Sequence, residues 1–494
     1  MGTIIVIDQQ QEWFEVSGAV VVPARRYLAE GDRGSGGARD RVINLCRTSR
    51  YQGRGYYVSL LAEARGQRPL PDVKTVEDVK SDARLQSLAA DLQPLVTDTL
   101  RHDESDRFEL NVHFGKDPAQ LHEPLAQQLF ASVRAPLLRA LFARAEGRWR
   151  LDGLAAIGVA DVPAQHRGFL VEAVKAFMAD APTSRTARRS DGRPRLAILR
   201  DPDEPHKPSN EEALERLVRA APLVGLEAEL IGPDALERLP EFDALFNRAS
   251  PEVDGITYEF VRRAESLGMP VVDDPESILR CLNKVYMHEL LGRHRIPQPR
   301  TLTVQRDNVD RVPTALGLPC VLKLPDSGFG LDVVKIESEQ DLQREAERFF
   351  KISELIVAQE WLPTGFDWRV GVYDQRPLFV AKYFMAPGYW KIIEIDEAKK
   401  AIEGKTLAMS IGEAPEQVID LAVRAANLIG RGLYGVDLKQ VNDRCYVIEV
   451  NCNPNLDAGN EDQVLGEALY REIVGVFARR ISEQKRGGVQ PPAR

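Results

Sequence analysis

The stretch that decides the fold is LYGVDLKQVNDRCYVIEVNCNPNLD, residues 433–457. It reads as two short strands joined by a turn at residues 442–444, with polar residues in strands that should otherwise be buried. A three-residue loop at this turn places Asp437 directly opposite Glu449, and the alternation of side chains puts Asn451 on the face of Glu449. A two-residue loop would place the two carboxylates on opposite faces, because a shift of one residue reverses every side chain.

Two carboxylates and an amide oxygen on one face form a ligand set that suits Mg²⁺ when phosphates supply the remaining ligands. Without a cation, two carboxylates about 4 Å apart would repel each other by roughly 4 kcal/mol at an intermediate dielectric. The alternative interpretation is a solvated hairpin that carries scattered acidic residues, since alternation by itself is a weak signal. The rest of the chain favours the metal site.

The bulk composition is that of a globular protein with several domains. The chain has 494 residues, which is too long for one core and favours three domains. Hydrophobic residues make up 44% and charged residues 28% of it, and the net charge of −9 argues against a nucleic-acid binder, which would carry a basic surface. The five cysteines are scattered without a CxxC pair, which indicates neither disulfides nor a zinc site and suits a reducing cytoplasm.

The N-terminal segment MGTIIVIDQQQEWF predicts a first β-strand and not a signal peptide, because it has no basic region and the acidic Asp8 follows the apolar run at once. No window reaches the roughly 18 apolar residues that a membrane span requires. We therefore expect a cytoplasmic protein without membrane contact.

Residues 1–180 predict an α/β domain of their own, with apolar strands at TIIVID and at VINL, residues 42–45. Between VINL and a helix that ends at Gly66 lies CRTSRYQGRG, which carries Arg47, Arg50 and a third arginine at a strand-to-helix junction. Such a junction can bind an anion through the free N–H groups at the start of the helix. A solvated basic loop explains the same residues equally well.

The chain that follows divides by composition and pattern. Residues 181–194 are polar and basic without periodicity, which predicts an exposed linker. From 195 to 300 strands alternate with helices, which predicts a parallel sheet, and residues 274–296 read as one long helix. The C-terminal residues 485–494 predict a disordered tail.

Several loose motifs lie between that helix and the acidic hairpin. A strand with Lys323 leads into a loop with Gly328 and Gly330, where the backbone can approach a phosphate closely, although an ordinary turn explains the glycines too. It is not a Walker A loop, because no GK[ST] closes it. LIVAQEWLP, residues 355–363, is an apolar strand that stops at a proline and resembles a hinge whose backbone meets a purine edge.

A second hairpin, residues 366–385, places Asp367 and Arg369 on one face and Lys382 on the returning strand. In chain order the motifs are Lys284, the lysine–glycine loop, QEWL, DWR, GVD and EVNCNPNLD. This order resembles the ATP-grasp superfamily and, within it, the RimK-like amino-acid (glutamate) ligases. The N-terminal segment INLCRTSRYQGRGYYVSLLAEARG is similar to the additional domain of a longer RimK-like subgroup.

The resemblance implies an α/β (α+β) architecture. A RimK-like N-terminal domain at 1–180 would precede a Rossmann-like pre-ATP-grasp domain at 195–300 and an ATP-grasp domain at 301–484. Within the last of these, residues 301–362 would form a central lid subdomain and residues 363–484 the C-terminal subdomain.

The resemblance also implies roles for individual residues. The expected ATP-binding residues are Lys284, Lys323, Ser327, Gly328, Gly330, Gln359, Glu360, Trp361, Leu362 and Asp367. The expected metal ligands for two Mg²⁺ ions, with Mn²⁺ as an alternative, are Asp437, Glu449 and Asn451. The expected catalytic residues are Arg369, in the position of the family's DxR motif, and Lys382.

Two departures from the RimK pattern lie where the substrate is held. The arginine-rich loop is absent, and Lys391 is the nearest cation in the equivalent segment APGYWKIIEIDEAKKAIEGK. The closing motif contains Asn453 and Asn455 around a proline where RimK has Ser-Pro-Gly. Glutamate specificity therefore does not carry over. The candidate substrate contacts are Arg47, Arg50, Lys391, Asn453 and Asn455.

The predicted function is an ATP- and Mg²⁺-dependent carboxylate–amine ligase that joins an amino acid to an amino acid, a small peptide or a protein terminus through an acyl phosphate. Lysines, an arginine and metal ligands without a nucleophile suit phosphoryl transfer, which needs mainly positioning and charge neutralisation. The alternative is a regulatory or scaffold protein that binds ATP with an inactive ATP-grasp fold. We expect a homo-oligomer, with no nucleic-acid partner.

Overall fold

The computed structural model groups the chain into two units. The first is Met1–Ser184 with Ile352–Glu354, and the second is Arg185–Lys351 with Leu355–Arg494. The described residues are 2–9, 13–30, 40–48, 50–101, 103, 105–145, 148–179, 193–204, 207–253, 255–326, 332–395 and 401–487. Most of the predicted linker, residues 181–192, and the end of the predicted tail, residues 488–494, lie outside them. The finer division of the second unit stays a prediction.

The first unit contains two sheets and six helices within its described residues. Its strands are β1 (Thr3–Ile7), β2 (Val20–Pro23), β3 (Arg41–Asn44), β4 (Arg68–Leu70), β5 (Arg107–His113), β6 (Leu137–Ala145) and β7 (Arg148–Ala156). Its helices are α1 (Ala24–Glu30), α2 (Arg54–Ala64), α3 (Val73–Asp78), α4 (Asp82–Thr99), α5 (Glu123–Ser132) and α6 (Arg167–Ala179). The first sheet is parallel in the order β2-β1-β3-β4, and the second is antiparallel in the order β5-β6-β7.

The apolar runs of the N-terminal sequence form the predicted strands. In β1 the residues from Ile4 to Ile7 are buried, which is typical of a parallel strand that is covered on both faces. Helix α2 ends as predicted near Gly66, whose φ of +68° is a left-handed conformation that suits glycine at the end of a helix.

The second unit begins with a parallel sheet. Its strands are β8 (Arg195–Leu199), β9 (Glu227–Ile231), β10 (Ala244–Asn247) and β11 (Val271–Val272), in the order β11-β10-β8-β9. The helices that accompany it are α7 (Glu211–Ala220), α8 (Ile256–Ser266), α9 (Pro275–Leu282) and α10 (Lys284–Arg293). The alternation of strands and helices thus produces the parallel sheet that the sequence predicted.

The prediction of one long helix at 274–296 is wrong. The segment forms α9 and α10, which meet at Asn283, a residue with extended backbone angles. The side chain of Asn283 accepts a hydrogen bond from the backbone N–H of Tyr286 at 3.1 Å, so it caps the second helix. The break matters because it places Lys284 in the first turn of α10.

An antiparallel sheet follows, which we call the Lys323 sheet. Its strands are β12 (Thr301–Val304), β13 (Cys320–Lys323), β14 (Val333–Ile336) and β15 (Ile356–Glu360), in the order β12-β15-β13-β14. Two helices, α11 (Val312–Leu316) and α12 (Glu339–Phe349), accompany it. Side chains such as Leu322 and Ala358 pack with Leu342 and Phe349 of α12 in one core, so the opposite face of the sheet carries Lys323 and Gln359.

A second antiparallel sheet, the Asp437 sheet, completes the unit. Its strands are β16 (Phe366–Tyr373), β17 (Arg376–Phe384), β20 (Thr406–Met409), β21 (Leu433–Val441) and β22 (Arg444–Cys452), in the order β20-β17-β16-β21-β22. The short strands β18 (Ile393–Ile395) and β19 (Ala401–Glu403) pair with each other. The last helices are α13 (Glu416–Ile429) and α14 (Glu467–Gly487), and α14 extends beyond the predicted domain end at 484.

The hairpin of β21 and β22 has the predicted pairing but not the predicted turn. Val441 pairs with Arg444, so the turn contains two residues and not three. A β-bulge at Ile448 then adds one residue to β22. As a result Asp437 still lies opposite Glu449.

Helix α14 connects the end of the chain to the parallel sheet of the second unit. Its residues Tyr470, Ile473 and Phe477 share a core with Leu196 of β8 and Phe246 of β10. All five cysteines are free and buried. Among the helices that the structure describes, none combines the length and the apolar character needed to cross a bilayer.

Candidate active site

One face of the Asp437 sheet collects charged side chains from three neighbouring strands. Asp437 on β21 lies opposite Glu449 on β22 and, on its other side, opposite Arg369 on β16. Arg369 binds the Asp437 carboxylate with two nitrogens, Nε at 2.5 Å from Oδ1 and Nη2 at 3.0 Å from Oδ2. Asn451 donates its side-chain N–H to Oδ2 of Asp437 at 3.0 Å. The structure therefore brings four of the predicted residues together.

Burial and ion pairing have opposite effects on the pKa values of Asp437 and Arg369. Burial raises the pKa of Asp437, and the neighbouring Arg369 counteracts that rise. Burial alone would lower the pKa of Arg369, but the Asp437 carboxylate holds it above its ordinary value. A carboxylate offers about four acceptor positions, so Asp437 keeps room for a cation beside Arg369 and Asn451.

Two predicted lysines approach the same region from α10 and from the Lys323 sheet. The ammonium of Lys284 lies 3.1 Å from Oε1 of Glu449. Lys323 donates to Oε1 of Gln359 at 2.8 Å. Burial lowers the pKa of Lys323 to about 8, and the Glu449 carboxylate acts in the opposite direction. A lysine held with a lowered pKa is a buried cation that a phosphate would stabilise.

Lys439 is a site residue that the sequence reasoning missed. Its ammonium donates to Oδ1 of Asp367 at 2.6 Å and to Oγ1 of Thr364 at 2.7 Å. It also lies near enough to Lys323 to lower the pKa of that lysine. The signal was its position two residues after Asp437, because alternation places both on one face.

A cleft lies between Lys323 of the Lys323 sheet and Glu449 of the Asp437 sheet. It has a volume of about 350 Å³, part of which is open to solvent. Lys284, Lys323, Gln359 and Glu449 supply polar groups to its wall, and apolar side chains such as Val357 complete it. His288, Gln298 and Thr301 also line it, and a cleft that combines polar and apolar side chains in this way is typical of a small-molecule site.

The predicted hinge lies at the end of β15. The backbone N–H of Glu360 donates to the carbonyl oxygen of Arg300 at 2.9 Å, and the Glu360 carboxylate accepts from Nε of Arg300 at 2.6 Å. This N–H is therefore already used within the protein. Trp361 and Leu362 follow the strand, and Trp361 comes two residues after the cleft residue Gln359.

The structure does not place Lys382 with the other candidate catalytic residue. Lys382 on β17 pairs with Trp368, whereas Arg369 and Asp367 are the neighbours of Trp368 and point to the opposite face. The ammonium of Lys382 lies 4.5 Å from the centre of the Phe366 ring and 4.8 Å from that of Trp368. The predicted residues Ser327, Gly328 and Gly330 lie outside the described residues.

Asn453, a candidate substrate contact, has its side chain engaged within the protein. Its Oδ1 accepts a hydrogen bond from the buried Arg248, and its Nδ2 donates to the carbonyl oxygen of Ala249 at 2.6 Å. Sequence reasoning also missed Arg248, whose partner is 205 residues away in the chain. Asn455 is half-buried, and so is Lys391, whose pKa is lowered by burial.

The other two candidate substrate contacts, Arg47 and Arg50, belong to the first unit. Arg47 forms an ion pair with Asp161, to which its Nε donates at 2.8 Å. Nη1 of Arg50 lies 3.7 Å from Oε1 of Glu354. Both arginine side chains are largely exposed, at 62% and 60%, so both interpretations of this loop stay open.

The metal ligands predicted from the sequence fit a hard divalent ion. In the described part of the chain, no three or more His, Cys, Asp or Glu side chains are grouped closely enough to hold a metal on their own. Asp437, Glu449 and Asn451 provide two carboxylates and an amide oxygen on one face. Oxygen donors that leave positions open for phosphate suit Mg²⁺.

Comparison with known families agrees with this geometry. Residues 24–173 match the RimK-like ATPgrasp N-terminal domain, and residues 294–458 match the D-ala D-ala ligase C-terminus. Over these two regions the chain is similar to RimK-like ATP-grasp ligases. Members of this family use ATP and divalent metal ions.

Curated relatives match about half of the chain's length, and solved structures match somewhat more of it. "Probable alpha-L-glutamate ligase 2" of Shewanella sp. (strain MR-4) is 28% identical over 262 residues, 49% of this chain and 85% of the relative. "Probable alpha-L-glutamate ligase 1" of Shewanella amazonensis is 28% identical over 261 residues, 49% of this chain and 84% of the relative. The structure of D-alanine–D-alanine ligase from Bacillus anthracis covers 59% of this chain and 99% of its own, at 17% identity and a TM-score of 0.47.

Proposed function

We propose that the protein is an ATP- and Mg²⁺-dependent carboxylate–amine ligase that forms an amide bond through an acyl phosphate. The observation that carries this proposal is the cleft in which Lys323 faces Glu449, the carboxylate paired with Asp437. Cations on one wall and carboxylates on the other are what a nucleotide triphosphate and its metal ions require.

Three lysines would hold the triphosphate. Lys284 and Lys323 line the cleft, and Lys439 adds a third ammonium close to Lys323. Trp361 and Leu362 would lie along the adenine, with Asp367 near the ribose. Asp437, Glu449 and Asn451 would hold two Mg²⁺ ions or, alternatively, Mn²⁺, and bound ions would neutralise the phosphates and polarise the γ-phosphorus.

The proposed reaction has two steps. First, a carboxylate oxygen of the acid attacks the γ-phosphorus, the bond to the β,γ-bridging oxygen breaks, and ADP leaves. Second, the amine nitrogen attacks the acyl carbon, phosphate leaves and the nitrogen loses a proton, which gives the amide. The protein would contribute position and charge, and Arg369, a cation on the Asp437 face, would stabilise the reacting carboxylate. We expect no covalent enzyme intermediate.

We infer that the substrates are amino acids or small peptides, with a protein terminus as an alternative acceptor. The relatives named as α-L-glutamate ligases support an amino acid as one partner. We do not assign glutamate, because the segment around Lys391 and the Asn453–Asn455 motif differ from the RimK pattern. The homo-oligomer expected from the sequence stays a prediction.

The test is a phosphate-release screen over pairs of amino acids and dipeptides, followed by mass measurement of the product. We expect ADP release that depends on both substrates and a product joined with loss of water. Glu449→Gln should abolish turnover, since it removes a charge from the metal site. Glu347→Gln is the matched control, because Glu347 also pairs with a cation, Arg306, but is 65% exposed on α12.

ADP release from ATP without any joined product would support the alternative, a protein that binds ATP for regulation. Turnover of Glu449→Gln near the wild-type rate would reject the metal assignment. Absence of ATP binding to the wild-type protein, measured by calorimetry, would reject the proposed function as a whole.

A further inference from the structure

Two tryptophans, Trp361 and Trp390, contact each other beyond the end of β15. Trp361 follows β15 of the Lys323 sheet, and Trp390 lies in the loop between β17 and β18 of the other half of the unit. Their ring centres are 5.0 Å apart, with the ring planes at 74°. This is the edge-to-face arrangement that aromatic pairs prefer, and it contributes beyond simple burial of area.

A lysine lies over each of these rings. The ammonium of Lys335 is 5.0 Å from the centre of the Trp361 ring, and that of Lys391 is 5.0 Å from the centre of the Trp390 ring. Both distances are within the range in which a cation is attracted to an aromatic face. Lys335, Trp361, Trp390 and Lys391 therefore form a continuous stack, which we call the clasp.

The clasp connects two different parts of the candidate site. Lys335 on β14 pairs with Val321, so it lies on the same face of the sheet as the cleft residue Lys323. The loop that carries Trp390 is compact, because Ala386 donates its N–H to the carbonyl oxygen of Lys391 at 2.8 Å. The stack is thus a side-chain contact between the nucleotide-facing sheet and the loop that follows β17.

We propose that the clasp positions the 386–391 loop, and with it the ammonium of Lys391, over the cleft where the acid or the amine binds. This rests on the proposed ligase function. Trp390 and Lys335 are then positioning residues. In the described part of the chain, the ring and ion-pair contacts of Trp390 and Lys335 are with Trp361, Tyr389, Lys391 and Glu337, and not with the metal ligands or the lysines that would hold the phosphates. Trp361 would also lie along the adenine, but substitutions of Trp390 leave Trp361 in place. Loss of the stack through Trp390 should therefore weaken the apparent affinity for the acid or the amine and leave ATP affinity unchanged.

The expected effect is moderate, because the stack consists of one aromatic pair and two cation–π contacts. Removing Trp390 eliminates the aromatic pair and one cation–π contact, and this should raise the KM for one substrate roughly tenfold. Trp390→Ala and Trp390→Phe form the test pair, since phenylalanine keeps an aromatic face. Trp149→Phe is the control, because Trp149 is a buried tryptophan of the first unit that also has a cation, Arg144, 5.3 Å from its ring centre.

Three measurements on the full chain decide the proposal. Far-ultraviolet circular dichroism should show an exciton couplet from the two close indoles, and either substitution of Trp390 should remove it while Trp149→Phe does not. Trypsin should cleave after Lys391 faster in Trp390→Ala than in the wild-type protein and in Trp390→Phe. Steady-state kinetics should show the rise in KM in Trp390→Ala and its partial rescue by Trp390→Phe, with the calorimetric affinity for ATP unchanged in both.

The outcomes separate the two proposals. Unchanged cleavage after Lys391 together with unchanged KM values in Trp390→Ala would overturn the clasp even in an active ligase. A parallel loss of ATP affinity would also overturn it, because Trp390 would then belong to the nucleotide site. If the wild-type protein binds ATP but makes no amide, the proposed function is rejected. The positioning role is then rejected too, even if the couplet and the cleavage rates are as expected.

Discussion

Lys323→Met should stabilise the ATP-free protein while it weakens ATP binding. Lys323 is 8% exposed, and burial lowers its pKa from 10.5 to about 8. That difference corresponds to about 3 kcal/mol of unfavourable free energy for the charged form. Methionine has a similar volume and no charge, so the substitution removes this cost.

The substitution also removes a favourable interaction. The hydrogen bond from Lys323 to Oε1 of Gln359, 2.8 Å long, contributes about 1.5 kcal/mol, the lower end of the range for a charged group. We therefore expect the free energy of unfolding at neutral pH to rise by about 1.5 kcal/mol. ATP binding should weaken by about 1.5–3 kcal/mol, the contribution of a hydrogen bond to a charged group.

The pH dependence provides an independent check. Because the pKa of Lys323 is lower in the folded protein, the folded state binds fewer protons than the unfolded chain between pH 8 and 10.5. The destabilising effect of the lysine is fully present below pH 8 and disappears as the pH rises to 10.5. The stability advantage of Lys323→Met should disappear over the same interval.

Urea unfolding at neutral pH and at about pH 10 measures the first effect, and calorimetric titration with ATP measures the second. The matched control is Lys351→Met, an exposed lysine of the same unit that should change stability by less than about 0.5 kcal/mol. A lower unfolding midpoint for Lys323→Met at neutral pH, or a stability difference that does not vary with pH, would refute the reasoning.

Three further predictions follow from the buried charges. Asp437→Asn should lower the free energy of unfolding by about 3–5 kcal/mol in urea titrations, because the Arg369 guanidinium is left buried without a charged partner; Asp443→Asn in the exposed turn should change it little. Arg248→Met should also lower the free energy of unfolding by about 3–5 kcal/mol, since Arg248 is fully buried and donates to four acceptors. A decrease in the free energy of unfolding of less than about 1 kcal/mol would contradict this prediction. The ATP affinity of the wild-type protein should fall as the pH rises above about 8, where Lys323 loses its proton. Lys323→Arg should move this fall to higher pH, because arginine keeps its charge. The same pH profile of ATP affinity in the wild-type protein and in Lys323→Arg would contradict this prediction.

The sequence predicts the charged face well because strand alternation is a local property. Glu449 and Asn451 could be placed on one face from their spacing within β22, and Arg369 on the face of Asp367, whereas the pairing of Asp437 with Glu449 was predicted from a three-residue turn and results from a two-residue turn with a bulge at Ile448. Lys382 could not be placed, since its face depends on the register between two strands and not on its own strand.

Contacts between distant segments were not predictable from the sequence. The bond between Arg248 and Asn453 joins residues 205 positions apart, and no local pattern indicates it. The break at Asn283 was missed because the apolar periodicity continues through it. A capping asparagine in the middle of a helical pattern was the available signal.

The bulge at Ile448 sets the phase of the whole second strand of the hairpin. If the ladder continued without a bulge, Ile448 would lie opposite Asp437, and Glu449 and Asn451 would turn to the other face of the sheet. A hairpin that lacks Ile448, or one that has a third turn residue in place of the bulge, would keep Glu449 opposite Asp437. A change of one residue in the length of this hairpin therefore leaves the site intact as long as the bulge or the turn absorbs it.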